Sequence, residues 1–130
     1  MVLVDTSVWI EAFANPPRVK LERLIDIDEI VTCLPVYQEV LQGFRDEFAY
    51  RRARTAMAAL PMLESPLSHA VVDDAVGLYR SARRAGLTIR SRIDCLIAAC
   101  ALRSDIEILH VGRDFDLLAR VAPLRVRSAR

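Results

Sequence analysis

The sequence predicts an α/β domain built around a parallel sheet. Two observations carry this. Short, wholly or mainly apolar runs near residues 2–4, 30–33 and 107–111 are too short for helices and suit strands buried on both faces. Between them lie longer stretches with helical spacing of apolar residues. Strands alternating with helices in this way pack as a parallel sheet with helices on its faces.

The elements follow in order. Val2-Leu3-Val4 reads as the first strand and ends at Asp5. Thr6 or Ser7 can cap a helix over Val8 to Ala14, which Asn15-Pro16-Pro17 stops. A second helix is expected from about Val19 to Ile27, with Leu21, Leu24 and Ile25 on one side. Ile30 to Cys33 is a second strand, and Pro35 opens a helix running to Gly43. Asp46 to Leu60 reads as a helix ended by Pro61, and His69 to Ala85 as a long amphipathic helix ended by Gly86. Asp94 to Arg103 is helical, Glu107 to Val111 is a third strand, and Asp114 to Arg120 is a short helix. Leu124 to Arg127 is a marginal last strand.

At 130 residues the chain is expected to form one domain, spanning residues 1–130. Its 53% hydrophobic and 27% charged residues exclude a disordered or low-complexity chain. No apolar run approaches the ~20 residues of a membrane helix, and the N-terminus lacks the pattern of a signal peptide. Cys33, Cys95 and Cys100 show no metal or disulfide spacing, which suits buried thiols in the cytoplasm. The net charge is +1, but residues 1–79 hold 7 bases and 12 acids, while residues 80–130 hold 11 bases and 5 acids. All the bases but Lys20 are arginine, a residue suited to phosphate. The asymmetry points to an anionic partner.

The acids stand where acids are usually avoided. Asp5 closes an apolar strand, a place that also suits an Asx turn or helix cap. Glu39 borders the apolar face made by Val36, Tyr37, Val40, Leu41 and Phe44, and Gly43 is expected to leave space over its carboxylate. A rim glutamate with a snorkelling stem has the same pattern. Asp94 opens a helix apolar on every side, so it must cap, pair or ligate. Asp114 and Asp116 follow the third strand; one can cap the short helix, which leaves the other for different work. In an open α/β sheet ligands collect beyond the carboxyl ends of the strands. Asp5 and Asp114 fall just past such ends, and Glu39 and Asp94 are expected at or near helix starts on the same side.

Four carboxylates in one pocket repel one another and raise each other's pKa values. A divalent cation relieves this, and an all-oxygen set suits Mg²⁺ or Mn²⁺ rather than zinc. Such an ion shields phosphate and makes water nucleophilic near neutral pH, which implies metal-assisted phosphodiester hydrolysis. Competing chemistries lack their parts. His69 and His110 have no partner at zinc-ligand spacing, there is no nucleophile elbow, and four glycines form no phosphate loop.

The blocks Val2-Leu-Val-Asp-Thr-Ser-Val-Trp-Ile10, Glu39 followed by Gly43, Ile93-Asp-Cys-Leu-Ile-Ala-Ala99, and Asp114-Phe115 after an apolar strand together resemble a PIN domain. More narrowly, they resemble the VapC-type toxins of bacterial toxin–antitoxin pairs. The resemblance spans nearly the whole chain. It implies a three-layer α/β domain with a parallel sheet of about four to five strands. It also implies a Mg²⁺- or Mn²⁺-dependent endoribonuclease that cuts structured RNA, often tRNA. The expected partners are a cognate VapB-type antitoxin and a second copy, as a homodimer or as a heterotetramer or larger assembly with antitoxin.

Residue by residue, Asp5, Glu39, Asp94 and Asp114 match the family's acidic catalytic and metal positions, with Asp116 as an auxiliary ligand. Ser7 matches the small hydroxyl beside the first acid. The family often carries Thr or Ser, and then Asp, where this chain has His110 and Gly112, so the fourth position falls to Asp114 alone or with Asp116. Arg90 and Arg92, close to Asp94, are expected to hold RNA phosphates, whereas Arg80, Arg83 and Arg84 read first as a solvated helix face and only second as phosphate contacts. Two other readings compete. A catalytically silent PIN fold would bind RNA or protein without metal dependence. A haloacid-dehalogenase-like phosphatase wants a second Asp where Ser7 stands and a site lysine, for which only Lys20 is available.

Overall fold

The computed structural model describes residues 1–130. Five strands form one all-parallel sheet: β1 (Val2–Val4), β2 (Ile30–Cys33), β3 (Met62–Leu63), β4 (Glu107–His110) and β5 (Val126–Ser128). Their spatial order is β3-β2-β1-β4-β5. In register, Val2 lies beside Ile30 and Glu107, and His110 beside Ser128. All carboxyl ends therefore emerge on one edge. Six helices connect the strands: α1 (Thr6–Phe13), α2 (Leu34–Gln42), α3 (Glu47–Ala58), α4 (His69–Arg84), α5 (Arg92–Arg103) and α6 (Asp114–Leu118).

The central strands are buried on both faces, as their unbroken apolar runs require. Successive side chains then serve two cores. Leu3, Val31, Cys33 and Ile108 face the larger one, where α2 to α6 pack. Val2, Val4, Ile30 and Leu109 face a smaller one with Val8, Val19 and Ile25. Phe115 is the one buried aromatic residue, so the interior is aliphatic. All three cysteines are buried and free. No helix is long and apolar enough to cross a membrane.

The structure departs from the sequence expectations at several ends. α1 starts at Thr6 because Asp5 itself is the cap, accepting from the Ser7 backbone N–H at 3.1 Å. The helix expected over Val19 to Ile27 is replaced by two single 3-10 turns, Leu21–Arg23 and Ile27–Glu29. The Asp26 carboxylate accepts from the Asp28 N–H and starts a separate turn there. Nine residues are too few for a helix without strong packing, and of this stretch only Val19 and Ile25 are buried in the core, with Leu21 packed at its edge. β3 was not expected at all: two residues show no period, and their pairing with Thr32 and Cys33 is non-local. α5 begins at Arg92, which sets Asp94 in its third position. β5 lies two residues later than expected at its start, at Val126.

Candidate active site

The sheet's carboxyl edge opens into a cleft of about 310 Å³. Asp5, Glu39, Asp94 and Asp114 all line it, with Thr6, Ser7, Arg90, His110 and Arg113. Four elements far apart in sequence thus bring four acids together.

Asp5 follows β1 and is 5% exposed. Its Oδ2 accepts from the Ser7 hydroxyl at 2.6 Å and the Ser7 N–H at 3.1 Å. The same Ser7 Oγ accepts from the Val111 N–H at 3.1 Å, tying Asp5 to the turn after β4. Asp5 Oδ1 is buried with no partner. Burial pushes its carboxyl above the usual range, and the Ser7 bonds pull the other way.

Asp114 opens α6, and its Oδ2 accepts from the N–H groups of Arg90 at 3.1 Å and Ser91 at 2.8 Å. Its Oδ1 is likewise buried and without a hydrogen bond; the Arg113 guanidinium stands 3.9 Å away. Asp94 lies in the first turn of α5, where the helix dipole favours an anion. Its carboxyl is nevertheless pushed up to about 8, first by burial and then by the charges of Asp5, Asp114 and Glu39. That cause is the electrostatic signature of acids sharing one hollow.

Glu39 is not at a helix start, as expected, but is the sixth residue of α2. It belongs to the cleft because Thr6 Oγ1 donates to its Oε1 at 2.8 Å. Burial and the Asp5 charge raise its carboxyl, against that hydrogen bond. Gly43 does not clear space over this carboxylate. It borders an apolar groove with Ile10, Phe13 and Phe44, and a Cβ there would meet only the Val40 and Glu39 carbonyls at ordinary distances of 3.4 and 3.7 Å.

Asp116 is outside the cleft; its Oδ1 lies 3.2 Å from His110 Nε2. His110 is 1% exposed, lies edge-on to Phe115 and has no partner for Nδ1. The departure at Gly112 has a backbone reason: its φ of +151° is one that L side chains rarely adopt. Arg90 lines the cleft, whereas Arg92 lies over the Tyr79 ring, 5.9 Å from its centroid. Sequence reasoning missed Thr6 as the holder of Glu39, and His110 and Arg113 as lining residues. Nothing in the linear order shows that Thr6 and Glu39 meet.

The donor set is carboxylate oxygen, with two buried oxygens, on Asp5 and Asp114, left without a hydrogen bond. That chemistry fits Mg²⁺ or Mn²⁺. No three acids are close enough to enclose an ion by themselves. Mg²⁺ commonly takes one or two carboxylates and fills its shell with water and substrate phosphate, so an open acid hollow is compatible with it.

A profile of the PIN domain matches residues 2–121. The chain belongs to the PIN domain family. Within the family it groups with the VapC proteins. It is 38% identical over 141 residues to Ribonuclease VapC11 of Mycobacterium tuberculosis, with 100% of both chains covered. The same figures hold for VapC ribonuclease Mb1587 of Mycobacterium bovis. Among solved structures, VapBC2 of Rickettsia felis, bound to a DNA fragment from its promoter, superposes with a TM-score of 0.77. That match covers 98% of each chain at 16% identity and bears on the fold.

Proposed function

We propose that this chain, as a single domain over residues 1–130, is a divalent-metal-dependent endoribonuclease toxin. It hydrolyses phosphodiester bonds in structured cellular RNA, such as tRNA, in the cytoplasm. A VapB-type antitoxin silences it, and it works as a homodimer or in a larger assembly with that antitoxin. The observation that carries the reading is the joint lining of one cleft by Asp5, Glu39, Asp94 and Asp114, with Asp94 raised by burial and then by the other three. The 38% identity to Ribonuclease VapC11 supports the reaction and substrate class, and the VapBC2 complex supports the kind of partner.

Asp5, Asp94 and Asp114 would hold Mg²⁺ or Mn²⁺ together with water and substrate phosphate, with Glu39 completing the acidic wall. When bound, the ion shields phosphate charge and lowers the pKa of a hydrolytic water. Ser7 keeps Asp5 in one rotamer, so its free oxygen stays available. Thr6 does the same for Glu39. Asp94, raised by burial and by its acidic neighbours, would be held ionised by a bound cation. Arg90 at the rim, and Arg92 beyond it, hold phosphates of the RNA strand. Asp116 acts by bonding His110 rather than as a ligand.

The test is incubation of the purified chain with total RNA in Mg²⁺, Mn²⁺ or EDTA, followed by mapping of the cut ends. Cleavage at defined sites with metal, and none in EDTA or with Asp94→Asn, is expected. Cleavage indifferent to both EDTA and Asp94→Asn would refute the reading, and metal-independent RNA binding without cutting would mark a silent binding fold.

A further inference from the structure

The acid cleft poses a problem for its own substrate. Its wall carries four carboxylates and two arginines, and Arg113 is already drawn toward Asp114 and the Thr88 carbonyl. A nucleic-acid strand brings one negative charge per nucleotide, so phosphates next to the cut need cations outside the cleft.

A second hollow, about 340 Å³, supplies them. Arg18, Lys20, Arg23 and Arg130 line it, together with Val19 and Ala129, and no acid does. Arg18, Lys20 and Arg23 are exposed and form no ion pair. Arg130 alone is paired, to Glu11 of α1. Three unpaired cations around one hollow repel each other and favour a bound anion. The chain's single lysine is among them.

This hollow adjoins the cleft. The Ala129 N–H on its wall donates to the His110 carbonyl at 2.8 Å, and His110 lines the cleft. Val111 of the cleft and Ala129 of the hollow pack on the same small core. Ala129 and Arg130 of the hollow follow β5, and His110 and Val111 of the cleft end and follow the adjacent β4. The arginine hollow of α4 (Arg80, Arg83 and Arg84) lies on the other face of the sheet.

We propose that the hollow of Arg18, Lys20, Arg23 and Arg130 is a phosphate-binding subsite that seats the RNA backbone beside the nucleotide being cut. The inference rests on the ribonuclease reading above. The contacts are to phosphate, so the subsite positions the strand and carries no base preference. An acidic protein segment is the competing occupant. The backbone bond that ties Ala129 on its wall to His110 of the cleft, read above as the site of phosphodiester cleavage, favours RNA.

The experiment measures binding of fluorescent poly(U) by anisotropy, in EDTA so that no cutting occurs, across a KCl series. Lys20→Ala with Arg23→Ala removes two exposed cations that form no ion pair. Arg45→Ala with Arg54→Ala is a control with the same charge change, carried on exposed residues near α3. The first variant is expected to weaken binding several-fold at low salt. Its log–log salt slope should fall by about 1.4, since each single-strand phosphate contact contributes about 0.7. The control should keep the wild-type slope. Equal slopes in wild type and the Lys20/Arg23 variant would overturn the subsite while leaving the ribonuclease reading intact. An equal loss in the control would overturn it in favour of general charge attraction. Weakened antitoxin binding with unchanged RNA binding would overturn it in favour of a protein occupant. A wild-type chain that binds no RNA at all would overturn both readings together. Circular dichroism melts of each variant keep misfolding distinguishable from lost contact.

Discussion

Asp5 and Glu11 stand six residues apart, one capping α1 and the other within it, and they meet opposite fates. Both are buried, at 5% and 9% exposure, and each leaves one carboxylate oxygen without a partner. The other oxygen of Glu11 receives the Arg130 guanidinium, and its backbone carbonyl receives the Arg18 N–H at 3.0 Å. Asp5 receives only the neutral donors of Ser7. Its own charge, after burial, helps to raise Glu39 and Asp94. A buried carboxylate with a cation of its own is a structural brace. Carboxylates that crowd one hollow with a single distant guanidinium among them are raised instead, and on the proposed reading a metal cation relieves them.

The largest expected effect breaks this contrast by mutation. Asp5→Asn should lower RNA cleavage roughly a hundredfold or more, because metal charge stabilisation is worth several kcal/mol. Glu11→Gln should leave cleavage near wild type. Comparable losses from both, in a gel assay of a defined RNA, would erase the distinction.

Next in size is metal linkage. Mn²⁺ at a hundredfold excess over its Kd should stabilise the wild-type fold by about 2.7 kcal/mol, read as a thermal shift. Glu11→Gln should keep that shift, and Asp5→Asn or Asp94→Asn should lose it. A shift that survives Asp94→Asn would place the ion elsewhere.

The pH dependence sharpens the comparison further. The Asp94 carboxyl is raised from 3.8 to about 8 in the folded chain. The native state then binds more protons than the unfolded one across that window, so stability must fall as pH rises. Metal-free wild type should lose stability from about pH 4 to pH 8, and Asp94→Asn should flatten the curve. Saturating Mn²⁺ should flatten it too, since the ion stabilises the ionised form. A metal-free stability that rises through this window would contradict the shared hollow.

The smallest effect concerns the brace. Arg130→Ala leaves Glu11 buried without its cation and should cost about 1 kcal/mol in urea melts, moderated because the arginine itself is 67% exposed. Metal binding should be unchanged, and a lost Mn²⁺ shift would mean that the two acids are not independent.

Much of this was legible in the linear order. Val2–Val4 and Ile30–Cys33 are strands because nothing polar interrupts them before Asp5 and beyond Thr32. Asp94 announced itself because a carboxylate heading an all-apolar helix needs a partner. Short, weakly periodic pieces were not legible. β3 exists through pairing with Thr32 and Cys33, and the turns at Leu21 and Ile27 take the place of a helix whose length was marginal. Glu39 was found for partly wrong reasons: Gly43 leaves it no space, and it reaches the cleft from mid-helix on the Thr6 hydroxyl.

By itself the sequence determined that the sheet is parallel and buried and that particular acids stand in unusual places, because period and burial are local properties of the chain. Only the tertiary structure decided which acids meet, that Asp116 turns away to His110, and that Lys20 and Arg23 share one hollow with Arg18 and Arg130. Those outcomes depend on strand order and on which loop ends beside which, and chain segments far apart carry no local signal of their meeting.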